Sequence, residues 1–277
     1  MTAPSLLAPA PARHSRSLNL VAVVTGAILI AVVVLAVFGP WFAPHPAGQT
    51  IGRPLANTGA DGWLGTDRLG RDVWSQILHG GRRTVIIPLV ATLAATVAGD
   101  TVGLLAGRRP RNRILDAVLM VIIAMPAMLI LLLLLHRFGK SAWVPIAAVV
   151  VVAFPYSVRY ARSASAKAWG SSFVEQARLR GESNGWILRH EVLPNVAGPV
   201  LSDTGLRFAT SVQLVTAASF LGFGPGAPAT DWATQISKNL DGASLNLWAI
   251  AAPALMIALL TVPANLLADR LAARIEQ

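Results

Sequence analysis

The sequence predicts an all-α, polytopic membrane protein with six transmembrane helices. Three observations carry that expectation. Of 277 residues, 54% are hydrophobic and only 13% charged, too few charges to cover an ordinary soluble surface. The apolar residues fall into six blocks of membrane-spanning length, at 18–38, 84–107, 114–135, 144–162, 196–221 and 247–268. The cations sit in the joints between these blocks, so the formal charge of +10 belongs to loops and lipid headgroups rather than to a nucleic-acid surface. In lipid each backbone amide must be satisfied within its own segment, so the blocks are helices even where Val and Ile would favour strands in water.

Residues 1–17 combine Pro, Ala and Ser with Arg13 and Arg16, a composition expected to leave a disordered cytoplasmic N-terminus. A cleaved signal peptide is the competing reading of the first block. At 21 residues, 18–38 would span about 31 Å as a helix, long for a signal core and right for a bilayer, so it is expected to be retained. Residues 39–83, rich in Gly, Pro, Asp and Trp, are expected to form an external ordered loop or partly an interfacial helix, with Trp63 and Trp74 at headgroup level. A core of five more helices should occupy 84–268, interrupted by a polar segment at 172–194, and 269–277 should be a short tail. Pro88, Pro126, Pro155 and Pro253 are expected to kink their helices. With the N-terminus inside, fourteen Lys and Arg lie on the inner side and eight on the outer, which places both termini and 172–194 in the cytoplasm.

The chemistry-bearing residues point away from catalysis. There are no cysteines, hence no disulfide, thiol nucleophile or Cys-ligated zinc. The five histidines lie at no metal-ligand spacing, and Gly139-Lys140-Ser141 lacks the glycine a phosphate loop needs at position 134, which is Leu134. Outside the membrane, Asp67, Gly70, Arg71 and Asp72 form either a loop closed by glycine turns and an internal ion pair or an external gate or docking surface. Inside it, Asp100, Asp203 and Arg207 are costly charges; Asp100 lies within about two turns of the expected cytoplasmic end, so reaching the interface is its alternative reading. Asp203 and Arg207 share a helical face at i,i+4, so they either neutralise each other or line a path for solute. An ion-gradient-driven secondary transporter would use these three as its relay.

The most informative stretch is 172–194. Ser171 or Ser172 can cap a helix with Glu175 as the reciprocal partner; Phe173, Ala177 and Arg180 then share a face. Gly181, Ser183 and Asn184 break it, a second short helix covers 185–192, and Pro194 marks the return to the membrane. Its order, Glu175-Gln176-Ala177, then Gly181, Glu191 and Leu193-Pro194, resembles the cytoplasmic signature of the inner-membrane permeases of ABC importers. Gln176 and Glu191 depart from it, the first replacing a small residue and the second an apolar one.

Four further blocks resemble the dipeptide, oligopeptide and nickel importer group of those permeases: Trp63-Leu64-Gly65-Thr66-Asp67 with Gly70-Arg71-Asp72, Ser75, Gly80 and Arg82, where Gln76 departs; Ser219-Phe220-Leu221-Gly222-Phe223-Gly224 with Pro228 and Trp232; Pro253; and Asn265-Leu266-Leu267-Ala268-Asp269. The likeness covers about 39–272. It implies the type I ABC importer permease architecture, a non-catalytic permease subunit in the bacterial plasma (inner) membrane, and alternating access for peptides, nickel chelates or similar small solutes. It further implies a second homologous permease, two cytoplasmic ATPases that bind the ATP, an external substrate-binding protein, and no cofactor in this chain. Glu175, Gln176, Ala177, Gly181, Leu193 and Pro194 would seat on the ATPase, with small Ala177 allowing close approach and Glu175 meeting cations on the partner.

Overall fold

The computed structural model describes residues 14–59, 62–108, 113–139, 141–224 and 231–275. Among these, helices carry the fold and the only β-pairing is three isolated bridges. The first helix, α1 (His14–Phe42), begins within the stretch expected to be disordered; residues 1–13 lie outside the described residues. The second, α2 (Val73–Ala106), starts eleven residues earlier than the apolar block. Asp72 explains this start: in an extended conformation it accepts a hydrogen bond from Ser75 N at 2.9 Å, capping a helix that then runs unbroken through Arg82 and Arg83. At about 51 Å, α2 is longer than the hydrocarbon thickness, so its first turns stand outside the membrane.

The block expected as one helix at 114–135 is two. Helices α3 (Arg113–Ala124) and α4 (Ala127–Phe138) meet at 82° across Met125 and Pro126, because proline disfavours helical geometry in the residue before it. The other three prolines expected to kink, Pro88, Pro155 and Pro253, sit within uninterrupted helices α2, α5 (Trp143–Trp169) and α10 (Trp248–Ile275). Helix α10 also takes up most of the expected tail. Among the described residues, five helices are long and apolar enough to cross a membrane, or six with the bent α3–α4 pair as one span.

Lipid offers no hydrophobic drive between helices, so close packing must hold the bundle. Helix α2 is the centre, touching α1, α5, α8 (Leu193–Ala218) and α10. Against α5 it presents Gly99, Gly103 and Gly107, one per turn. A Cβ at Gly103 would lie 2.5 Å from Val158 O and 2.8 Å from Ala161 Cβ, so these glycines let the backbones touch. At the opposite end, Val32, Ala36, Ile77, Val85, Val212 and Leu260 close around Trp232 of α9 (Trp232–Asn239).

Trp232 is fully buried, and its Nε1 donates to Ile77 O at 2.8 Å. Trp232→Phe keeps an aromatic ring but removes the donor to Ile77 O and leaves some volume unfilled. We expect a loss of about 1–2 kcal/mol, visible as a lower thermal midpoint of the detergent-solubilised protein with unchanged helicity.

Candidate functional site

Three groups of residues hold the chemistry, one at each end of the bundle and one inside it. At one end lies α6 (Ser172–Leu179). Ser171 occupies its N-cap position with extended backbone, but its Oγ donates to Ala168 O at 2.6 Å, so the expected capping box with Glu175 does not form. The helix closes as expected at Gly181, whose φ of +81° is one that side-chain-bearing residues rarely adopt. There Gly181 N donates to Arg178 O at 2.9 Å and Glu182 N to Ala177 O at 3.1 Å, the paired bonds of a Schellman motif.

Val174 and Ala177 are fully buried against Trp169, Ile187 and Val192. Ala177 therefore serves close approach within this chain, not toward a partner. The opposite face carries Glu175, Gln176, Arg178 and Leu179, all exposed, with Leu179 at 84%. Gly181, Leu193 and Pro194 are exposed beside it. Glu191, which departs from the signature, lies 3.5 Å from Arg180 Nη2; the pair replaces the apolar contact with a charged one. Leu179 was not singled out by sequence, although Val174 and Ala177 at i,i+3 define an inward face that leaves it outside.

The return to the membrane is not a turn. Helix α7 (Asn184–Ile187), a π-turn over Leu188–Val192 and α8 form one continuous element. Pro194 has no amide hydrogen and its ring presses on the carbonyl four residues back; the wider π-turn just before it takes up that conflict. Helix α6 thus packs against the start of a rod that runs into the membrane.

At the other end, residues 43–59 and 62–72 fold over the start of α2. Asp67 accepts from Arg71 Nε at 2.8 Å and from the backbone amides of Leu69 and Arg71 at 2.8 and 2.9 Å, while Arg71 Nη2 approaches it to 2.6 Å. Asp67, Arg71 and Asp72 are 4%, 7% and 4% exposed, so they are interior groups of the loop. Gly70, at φ +70°, has no room for a Cβ because Gly52 O occupies the place. Asn246 Nδ2, fully buried, reaches the carbonyls of Ala56, Leu64 and Thr66. Trp63 is 81% exposed, with its ring centroid 6.4 Å from that of Trp74. Pro228 and Lys140 lie outside the described residues.

Inside the membrane, Arg207 Nε and Nη2 donate to the two oxygens of Asp203 at 2.6 and 2.8 Å, and the guanidinium stands 5.6 Å over the Tyr156 ring. The pair lines a cavity of about 350 Å³ between α4, α5 and α8, with Thr210, Ser211 and apolar walls. Asp100 on α2 lies within electrostatic reach of both. Helices α2 and α8 are antiparallel neighbours joined by a Thr92–Ser211 hydrogen bond of 2.9 Å. Eight residues along each, in opposite directions, put Asp100 level with Asp203. Sequence spacing showed Asp203 and Arg207 together; it could not show that Thr92, Thr96 and Asp100 form a matching polar row on α2.

Residues 99–277 match the family of binding-protein-dependent transport system inner membrane components, and residues 18–56 match the N-terminal transmembrane domain of oligopeptide transport permease C. The chain is 32% identical over 247 residues to the peptide transport system permease protein SapC of Escherichia coli O6:H1, covering 85% of this chain and 83% of the relative. It is 29% identical to the di/tripeptide transport system permease protein DppC of Pseudomonas aeruginosa, covering 97% and 92%. In fold it resembles a structure of the MetNI methionine ABC transporter in an inward-facing conformation, with a TM-score of 0.59 at 17% identity over 73% of this chain and 97% of that one.

Proposed function

The chain belongs to the family of binding-protein-dependent transport system inner membrane components, and from that premise we propose how this permease works. It is a multi-pass inner-membrane subunit of an ATP-driven importer, without catalytic chemistry of its own. Its solutes are short peptides or similar small molecules, as the names of its relatives suggest. It pairs with a second permease, receives solute from an external binding protein, and rests on two ATPases that hold the ATP; no cofactor belongs to this chain. Both termini and α6 face the cytoplasm, and Asp203 and Arg207 lie along the path that solute takes.

The observation that carries this reading is the linkage of α6 to α8. An exposed helix is clamped to the bundle through Val174 and Ala177 and joined to a continuous rod bearing the Asp203–Arg207 pair. Closing of the ATPases around α6 would tilt that rod and alternate access to the cavity. Glu175, Gln176, Leu179, Leu193 and Pro194 form the contact surface, and Gly181 holds the turn behind it.

The absence of cysteine makes sidedness directly testable. Single cysteines at Leu179 and Trp63, both highly exposed, are to be reacted with a membrane-impermeant maleimide. We expect Trp63→Cys to label in right-side-out vesicles and Leu179→Cys only in inverted ones. The reverse pattern would overturn the orientation. Co-purification of ATPases and a second permease from mild detergent checks the assembly.

A further inference from the structure

We infer that the cavity between α4, α5 and α8 is a subsite for the α-ammonium end of a short peptide, a proposal that rests on the peptide reading above. The argument begins with charge. Two carboxylates, Asp100 and Asp203, accompany one guanidinium, Arg207, on neighbouring membrane-spanning helices, where an unbalanced charge is costly and is retained for function. Arg207 is already committed: two of its nitrogens bond both oxygens of Asp203, and the Tyr156 ring holds its plane. That leaves Asp100, whose Oδ1 is buried without a hydrogen-bond partner and which stands level with Asp203 by the register that Thr92 and Ser211 fix. The cluster therefore carries one excess negative charge and wants a cation.

The cavity says what kind. Asp203 lines it and Asp100 does not, so an entering cation meets Asp203, with Asp100 on α2 supplying from outside the lining the charge that Arg207 has taken up. The remaining walls are mostly apolar, with Val149, Val152, Leu206 and Leu214 beside the hydroxyls of Thr210 and Ser211. A space of about 350 Å³ with one charged corner and apolar sides suits a primary ammonium attached to a small, variable side chain. Among the described residues no three His, Cys, Asp or Glu gather as a metal would require, and a hydrated inorganic ion would gain nothing from the apolar walls. A peptide's own carboxylate is not expected here, because the guanidinium edge it would use is occupied.

The test uses the complete importer in proteoliposomes, with the binding protein saturated by trialanine or by N-acetyl-trialanine in turn. Wild type is expected to carry the free peptide at least about tenfold faster. Asp100→Asn, checked for intact assembly by co-purification, is expected to bring the two rates within about twofold by slowing the free peptide, and Asp100→Glu to restore the difference. Equal rates in wild type, or an undiminished difference in Asp100→Asn, would overturn the subsite while leaving the peptide reading standing. Loss of a sodium or proton dependence in Asp100→Asn with discrimination intact would instead assign the charge to an inorganic ion. Transport of neither peptide by wild type would remove the peptide reading, and this inference with it.

Discussion

Leu179→Asp is expected to abolish ATP-driven import while leaving the permease folded. The side chain is 84% exposed on α6 between Arg178 and Arg180, so within this chain the change should cost no more than about 0.5 kcal/mol. In the importer proposed above the same atoms would enter an ATPase surface. An apolar anchor replaced there by an unpaired carboxylate loses its burial and adds a desolvation cost. Central interface residues of this kind cost about 2 kcal/mol or more when truncated, equivalent to roughly thirtyfold in affinity. The measurements are recovery of ATPase with the tagged permease, uptake in proteoliposomes, and the thermal midpoint of the free permease. Leu179→Met should keep all three near wild type. Retention of ATPase within twofold in Leu179→Asp would place the contact elsewhere on the α6 surface.

The contrast between α6 and the loop at the opposite end shows what the sequence could and could not convey. The Asp203–Arg207 pair was legible because a single helix brings i,i+4 residues together whatever surrounds it, whereas at 67–72 an internal ion pair was one of two readings and its members were not separated. The helix-breaking role of Gly181 was legible for the same local reason. The inward turn of Ala177 was misread, because motif and spacing say that a small residue permits close approach but not which neighbour approaches. The break at Pro126 and the continuity through Pro194 differ although both are prolines inside or at the edge of a helical segment. In the second case a π-turn absorbs the ring; in the first the chain bends by 82°, and nothing local to the residue separates the two outcomes. The polar ladder between α2 and α8 depends on register between helices more than a hundred residues apart, which periodicity along one segment does not encode. The early start of α2 was available in Asp72 and Ser75 as a cap, but the polarity of 73–83 concealed it.

Asp67→Asn separates the two readings of the loop before α2 that the sequence left open. The substitution preserves Oδ1, which accepts the Leu69 and Arg71 amides at 2.8 and 2.9 Å, so the turn itself survives. What it removes is the charge opposite Arg71, whose side chain is 9% exposed and bonded to Oδ2. Breaking a buried pair by neutralising one partner leaves the other charge uncompensated, at about 3–5 kcal/mol. Replacing both charges avoids that penalty, so Asp67→Asn with Arg71→Met should regain most of the loss. If the pair is a staple, thermal midpoint and uptake should fall together in the single variant and recover together in the double. A gate would behave differently: the single variant would keep its midpoint and leak solute without ATP, and adding Arg71→Met would not restore the seal. The geometry favours the staple. Asp67 and Arg71 satisfy each other inside a loop that is also bound to Asn239 through Arg68 N at 2.9 Å and to Asn246 through three carbonyls, leaving neither charge free to meet a passing solute.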